Sequence, residues 1–533
     1  MIYTMDLNAA YLGLPVKTGR ESSVLEIYAE GEKRYELAVP ELCGEDCDYY
    51  CWLRLSDCAG KRIALKGDLN ESFFEQIRQT DQVEYEPITR PLLHFTAERG
   101  WINDPNGMVY HNGVFHLFFQ YNPADTKWGN MSWGHAVSTD FLNFLQTDTV
   151  LLPDEHGAVY SGSGIVNEHG MSEFPENALV FFYTAAGGET PWSEGRAFTQ
   201  RIAVSTDGGR TLKKLPREAV GVTGRDSRDP QVFWHDASKG YIMALWIQGE
   251  EIALLRSENL QDWEMTDRFS LPGAFECPNL ICLQAQEKKQ WVLVVADGSY
   301  YFGEFDGYRF ASDGVRRSTY LTALPYAAQA AFVEDPPEAE RAVLIPWLRT
   351  RNSGKLYTGA MGLPRELGLV RRNGTFLLQM RPVREYGETR QKLASCEVKN
   401  GRIRRTGAAP DEGFFLETDG GITLEIKREA VTELVFEPTE GQATVDFFGQ
   451  TVSVERDAIL FGEERTALPE AFSRLHILID RQIIEVYGND YTRTAYYETG
   501  ADELTGFIRV TGCMGELEVY QWKQRYETAG SES

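Results

Sequence analysis

Five apolar stretches recur through the middle of the chain: VFHLFFQYN (114–122), LVFFYTA (179–185), YIMALWIQ (241–248), WVLVVADG (291–298) and AVLIPWL (342–348). They are short, rich in β-branched and aromatic residues, and start roughly 50–65 residues apart, which reads as one buried strand per repeating unit. A second echo accompanies several of them. AVSTDFLNF (136–144), AVSTDGGRTLKKL (203–215) and LLRSENLQDWEM (254–265) each end a strand in Ser, turn on an acidic residue or Asn, and resume with a hydrophobic residue. Convincing amphipathic helices are scarce. Five strand-rich units in tandem predict a five-bladed β-propeller, because a sandwich or barrel has no need of such a period.

The flanks break this rhythm. Before residue 89, VLEIYAE, RYELAVPEL, YYCWLRLSD and KRIALKGD alternate apolar and polar residues between turns. They predict a small antiparallel β-domain, read as a sandwich, with a short helix in ESFFEQIRQTDQV. YEPITRPLLHF, with two prolines, is a stiff connection into the repeats. From 386 onward, TELVFEP, ATVDFFGQTVSVER and LHILIDRQIIEVYGND alternate as half-buried strands do, and predict a C-terminal β-sandwich. The polar tail RYETAGSES is expected to fray. The expected organisation is all-β: 1–88, 89–385 and 386–533.

A chain of 533 residues is too long for one core. Its net charge of −26 disfavours nucleic acid and membrane surfaces as partners but suits a neutral ligand such as a sugar. MIYTMDLNAAYLGLPVKTGRESS lacks a basic segment followed by an apolar one, and no run of about 18 apolar residues occurs. A cytoplasmic protein with reduced thiols is expected. Cys43, Cys47, Cys51 and Cys58 lack the Cys-x2-Cys pairs of zinc knuckles, so packed thiols are expected there; Cys277, Cys282, Cys396 and Cys513 complete the set.

The chemistry concentrates first in residues 94–135. In Trp101-Ile102-Asn103-Asp104-Pro105-Asn106-Gly107, Asp-Pro-Asn-Gly reads as a turn between short strands at 100–102 and 108–110. Trp101, Trp128 and Trp133 surround it in sequence, and aromatic rings with a few amides and carboxylates suit a sugar site. His94, His111, His116 and His135 alternate with apolar residues, which predicts strand positions and no metal site.

WINDPNG, FFQYNP and WGNMSWGHAVSTD resemble the β-fructosidase family, glycoside hydrolase family 32, which includes invertases, inulinases, levanases and fructosyltransferases. The resemblance runs from about His94 to about Gln521 and implies a five-bladed propeller followed by a sandwich. It implies that Asp104 is a nucleophile, that Glu276 in Phe275-Glu276-Cys277-Pro278 is the acid/base, and that Asp229 in Arg228-Asp229-Pro230 stabilises the transition state, with Arg228 orienting it. Read alone, Asp229 is a salt-bridged turn residue and Glu276 an exposed loop residue; the aromatic and apolar neighbours of Glu276 also suit a carboxyl whose charged form is disfavoured. Arg225-Asp226 repeats the Arg-Asp pair without the proline. The implied mechanism is retaining, with carboxyl groups about 5–5.5 Å apart and a covalent intermediate.

The same resemblance assigns substrate contacts to Asn103, Gln120, Trp128, Ser161, Arg228, Trp347 and Tyr326, and calls for no metal or cofactor. There are departures. Tyr160 replaces Phe before Ser161, Asn279 stands where many members carry Asp, and Leu324-Pro325 replace Asp-Phe before Tyr326. In LHILIDRQIIEVYGND, Asp490 and Tyr491 replace the Gly expected soon after Asn489. Met361-Gly362-Leu363-Pro364-Arg365-Glu366-Leu367 reads as structural, closing the last blade.

The expected substrate is a terminal β-fructofuranosyl unit of sucrose or a short fructooligosaccharide. A fructosyltransferase using the same residues, or a non-catalytic sugar-binding propeller, is the alternative. The sequence leaves open β-2,1 against β-2,6 linkage, exo against endo cleavage, and oligomeric state. The leader either covers one rim of the pocket or mediates a homodimer.

Overall fold

The structure is a computed structural model. It describes residues 1–522 apart from 169, 286–287, 334–340, 353, 400–401, 406–415, 419–420, 426–429, 437–441, 448–449, 500–506 and 512–514. Cys513 and the tail RYETAGSES lie outside the described residues.

The recurring apolar stretches are the second strands of five antiparallel sheets: Val114–Asn122, Leu179–Ala186, Gly240–Gln248, Lys288–Val294 and Arg341–Leu348. They read as near-continuous apolar runs because each blade is covered by its neighbours on both faces. The echo is the turn leaving the third strand. The Ser138 hydroxyl pairs with Asp140, Ser205 with Asp207, and Ser257 with Asn259; the acidic or amide oxygen then caps backbone N–H groups of the turn.

The first strand of each blade lies innermost: Gly100–His111, Ala158–Val166, Arg228–His235, Asn279–Ala285 and Pro325–Val333. Tyr357–Thr358, from a loop of blade 5, pairs in parallel with the start of Gly100–His111 and closes the ring.

Two small sheets precede the propeller, one of four strands and one of three, around a core that includes Leu12, Leu25, Leu37, Cys51 and Phe73. The expected short helix is Glu71–Glu75, capped by the Asn70 side chain. Cys51 and Cys58 are packed thiols as expected, but Cys43 is exposed, since it falls in the loop after Glu32–Pro40. Two seven-stranded sheets follow the propeller and sandwich a core that includes Leu434, Val445, Ile477 and Val510. The fold is therefore all-β: an N-terminal β-rich unit, a five-bladed propeller and a C-terminal β-sandwich.

Two local expectations are corrected. Asp-Pro-Asn-Gly is not a turn between two strands; Gly100–His111 runs through it, with register shifts between Ile102 and Pro105 and between Asn106 and Val109. Turn-forming residues there make bulges. His94 is not on a strand but in the bend entering blade 1, where its ring is held by Asp480 and Glu485 of the sandwich.

Candidate active site

Every blade contributes one candidate residue at a comparable place, and in blades 1, 2, 3 and 5 it lies at an irregularity of the inner strand. Asp104 sits in the register shift of blade 1 and Ser161 in that between Val159 and Gly162. Asp229 sits in the shift between Arg228 and Gln231, and Tyr326 borders the shift that ends at Gln329. Glu276 precedes the inner strand of blade 4. Asp229, Glu276, Cys277 and Ala327 have φ of +65°, +53°, +45° and +47°, left-handed conformations costly for residues with a Cβ. The strain re-aims side chains that a regular pleat would alternate between faces. Gly162 is required beside Ser161, because a Cβ there would lie 1.8 Å from Phe182 O.

The residues converge. The Ser161 hydroxyl donates to Asp104 Oδ2 at 2.6 Å, and Asn103 Nδ2 donates to Asp104 Oδ1 at 3.1 Å. Asn103 is itself oriented by Trp101 Nε1, 3.0 Å from its Oδ1. Arg228 donates through Nε (3.2 Å) and its terminal nitrogen to Glu276 Oε1, and lies 3.9 Å from Asp229 Oδ2. Tyr326 OH donates to Glu276 Oε2 at 2.6 Å. The Arg228 guanidinium stacks 4.2 Å from the Trp246 ring centroid.

Burial pushes the Asp104 carboxyl up to about 6; hydrogen bonds from Ser161 and Asn103 oppose the rise and the charge of Glu276 adds to it. Burial also raises Asp229, which is 7% exposed; Arg228 opposes this, while Glu276 and Asp104 reinforce it. The apolar surroundings read for Glu276 are corrected: its partners are a guanidinium and a phenol. Phe275 turns away to pack on Trp246, 5.0 Å between ring centroids, and is 43% exposed.

Other expected contacts divide. Trp128 is 54% exposed at the rim, edge-on to Tyr160. Trp347 packs against Trp101 and beside Tyr326, and its buried indole Nε1 has no partner among the described residues. Gln120 is buried, and its amide donates to Val159 O at 2.9 Å, tying blade 1 to blade 2. Trp133 belongs to the core and not to the sugar-facing aromatics, since it is 0% exposed and its N–H is spent on Tyr160 O. Asn279 donates to Cys277 O and Ala328 O and accepts from Ala330 N–H, a pattern that an ionised Asp could not make.

Two features were missed. Cys277 N–H donates to Asp229 Oδ2 at 3.1 Å, and its thiol lies 3.5 Å from Asp229 and 3.9 Å from Asp104. Its adjacency to Glu276 was the available signal. Beneath the carboxylates, the inner strands are stitched by buried side chains two or three positions after each site residue. Ser163 accepts from Val232 N–H, Gln231 from Leu280 N–H, and Gln329 donates to Gly162 O. They satisfy backbone groups freed by the bulges.

The class defined by fold and site is a five-bladed β-propeller with an acidic pocket where its inner strands converge. The model of the "Glycosyl hydrolases family 32 N-terminal domain" matches residues 94–381, more than half the chain, and the protein belongs to glycoside hydrolase family 32. It is 30% identical over 465 residues to a levanase of Bacillus subtilis (strain 168), covering 77% of this chain and 66% of that one. It is 28% identical over 517 residues to a fructan beta-fructosidase of Streptococcus mutans serotype c, covering 85% of this chain and 34% of that one. The chain thus spans about two thirds and one third of these relatives. Among solved structures, exo-inulinase from Aspergillus awamori superposes with a TM-score of 0.67 at 23% identity, covering 83% of this chain and 99% of that one. A glycoside hydrolase family 32 protein from Bifidobacterium adolescentis superposes with a TM-score of 0.65 at 18% identity, covering 98% and 99%. These likenesses concern the fold.

Proposed function

We propose that the protein is a retaining exo-acting β-fructosidase that releases terminal fructofuranosyl units from sucrose-type or short fructooligosaccharide substrates. The observation that carries this reading is the convergence of Asp104, Asp229 and Glu276 from three blades, with Ser161, Asn103, Arg228 and Tyr326 bonded to them. The Trp347 N–H, without a partner among the described residues, and the exposed Trp128 ring supply the hydrogen-bond and stacking surface that a sugar takes up. The levanase and fructan beta-fructosidase relatives support fructose as the sugar.

In this mechanism an ionised Asp104 oxygen attacks the anomeric C2 of the terminal unit. Glu276 gives its proton to the departing glycosidic oxygen, so that C2–O breaks as the ester to Asp104 forms. Glu276, now a carboxylate, takes a proton from water as the water oxygen attacks C2, and Asp104 leaves. Asp229 accepts hydrogen bonds from sugar hydroxyls. Arg228, between Asp229 and Glu276, holds both in place. No step calls for a metal or cofactor.

The division at residues 88 and 385 is part of the same proposal, supported by the absence of any sheet, among the described residues, that draws strands from both sides of either point. So is a cytoplasmic location, which the free thiols of Cys43, Cys47, Cys51, Cys58 and Cys277 suit. No helix among the described residues is long and apolar enough to cross a membrane.

The test is product analysis with sucrose, β-2,1- and β-2,6-linked fructose disaccharides, inulin and levan, with Asp104→Ala as control. Free fructose from the wild type only, with the Asp104→Ala rate down at least about 10⁴-fold, supports the proposal and fixes the linkage. Longer products would make the protein a fructosyltransferase. Sugar binding without turnover would make it a binding module.

A further inference from the structure

The N-terminal sandwich grips the rim of the pocket through two loops. Asn130, on the loop 123–131 that carries Trp128, donates to Ala38 O at 2.8 Å and accepts from Ala38 N–H at 2.7 Å. It thereby pairs with strand Glu32–Pro40 as another backbone would. On the same strand, buried Glu36 accepts the Trp192 N–H at 2.9 Å and pairs with Lys33, whose ammonium lies 4.8 Å from the Trp192 ring centroid. Trp192 lies in the loop between the second and third strands of blade 2. The leader is therefore bonded to loops of two adjacent blades.

Between the leader and loop 123–131 lies a cavity of about 560 Å³, lined among others by Arg20 and Ser22 of the leader and by Asn122, Asp125, Lys127 and Trp128 of the propeller. Trp128 belongs both to this cavity and to the catalytic rim: its ring meets that of Tyr160 at 6.3 Å, and Tyr160 precedes Ser161, the partner of Asp104. Asp125 is 6% exposed, yet among the described residues its hydrogen bonds come from its neighbour Thr126 alone. A buried carboxylate with one local donor can accept more. An aromatic face beside a carboxylate, an amide and two cationic side chains is a surface for a neutral polyhydroxylated ligand.

We propose that the leader and loop 123–131 together form an outer subsite for the second and later sugar units of an oligosaccharide whose terminal unit occupies the Asp104–Glu276 pocket. Trp128 supplies the stacking face, Asp125 accepts sugar hydroxyls, and Arg20 and Lys127 donate to sugar oxygens. The leader thus sets preference for chain length. This rests on the fructosidase reading above.

The experiment compares kcat/KM for a fructose disaccharide with that for oligosaccharides of three to five units, using the full chain and its Asp125→Asn and Arg20→Ala variants. The wild type is expected to gain at least about fivefold from the disaccharide to the trisaccharide. Both variants are expected to stay within about twofold on the disaccharide while losing most of that gain. Calorimetric binding of the trisaccharide to Asp104→Asn, with and without Asp125→Asn, should show the same loss without depending on turnover. A wild type indifferent to length, variants that lose equally on every length, or variants that lose nothing would each overturn the subsite while leaving the fructosidase reading intact. No turnover of any fructoside would overturn that reading and the subsite with it.

Discussion

Two of the places where the protein buries charge are built on opposite terms. Where blade 1 meets the C-terminal sandwich, His94 lies with Nδ1 2.8 Å from Asp480 and Nε2 3.0 Å from Glu485. Only the imidazolium can donate to both. Glu485 also receives Arg365, and Asp480 accepts the backbone N–H groups of Leu92, Leu93 and His94. Two cations face two carboxylates. Burial alone would depress His94, but the carboxylates carry it up to about 9, and both carboxylates are held below their usual range despite burial. In the candidate active site Arg228 faces the carboxyl groups of Glu276 and Asp229, and burial wins: Asp104 and Asp229 are raised. Balanced buried charge locks two domains together; unbalanced buried charge leaves carboxyl groups poised to exchange protons and to accept a ligand.

Breaking the balance should be the costliest change. Glu485→Ala leaves Arg365 buried without its carboxylate and is expected to destabilise by about 3–5 kcal/mol at pH 7, read by thermal or denaturant unfolding. No hydrogen bond among the described residues links Glu485 to the pocket carboxylates, so activity per folded molecule should survive. His94 sets the pH window. Because its folded value is raised, its contribution is complete below about pH 6.5 and fades as pH rises through about 9. The gap between wild type and variant should narrow over that interval. A loss under about 1 kcal/mol would mean that the cluster does not lock the interface.

The converse holds in the pocket, with a smaller effect. A carboxyl raised from 3.8 to about 6 costs the fold nothing below about pH 4, progressively more between, and its full penalty above about 6. Asp104→Asn should therefore stabilise the protein at pH 7 by up to about 3 kcal/mol and leave stability unchanged below about pH 4, while abolishing turnover. A variant less stable than wild type at pH 7 would erase the contrast between the two clusters.

These two clusters also mark what could be read in the sequence. The five-blade plan was legible because a buried strand is an apolar run and its period survives as a repeat. The three carboxyl groups were legible through long motifs. The inner-strand geometry was not. Asp-Pro-Asn-Gly has turn propensity, and only the pairing of Gly100–His111 with Val114–Asn122 makes it a bulge. Nothing in Phe275-Glu276-Cys277 announces two consecutive left-handed residues, and that local twist is why Phe275 leaves the pocket and Cys277 enters it. The interface cluster joins residues nearly 400 positions apart, such as His94 and Glu485. No window of sequence displays such a pair, and His94 read as one more strand histidine.

The finest test of the comparison is Tyr326→Phe. Its hydroxyl donates to Glu276 Oε2, while Arg228 holds Oε1, so the substitution removes one of two groups that fix the carboxyl and leaves its charge partner. A positioning contact of this kind is worth about 1–1.5 kcal/mol, so kcat/KM should fall about tenfold. In the proposed mechanism Asp104 must be ionised to attack, so wild-type kcat/KM should decline as pH falls through about 6. That acid limb should stay where it is in Tyr326→Phe, because the phenol is bonded to Glu276 and not to Asp104. A fall of about 10³-fold or more, or a displaced acid limb, would show that the hydroxyl takes part in proton transfer and would add a fourth acid to the three of the proposed mechanism.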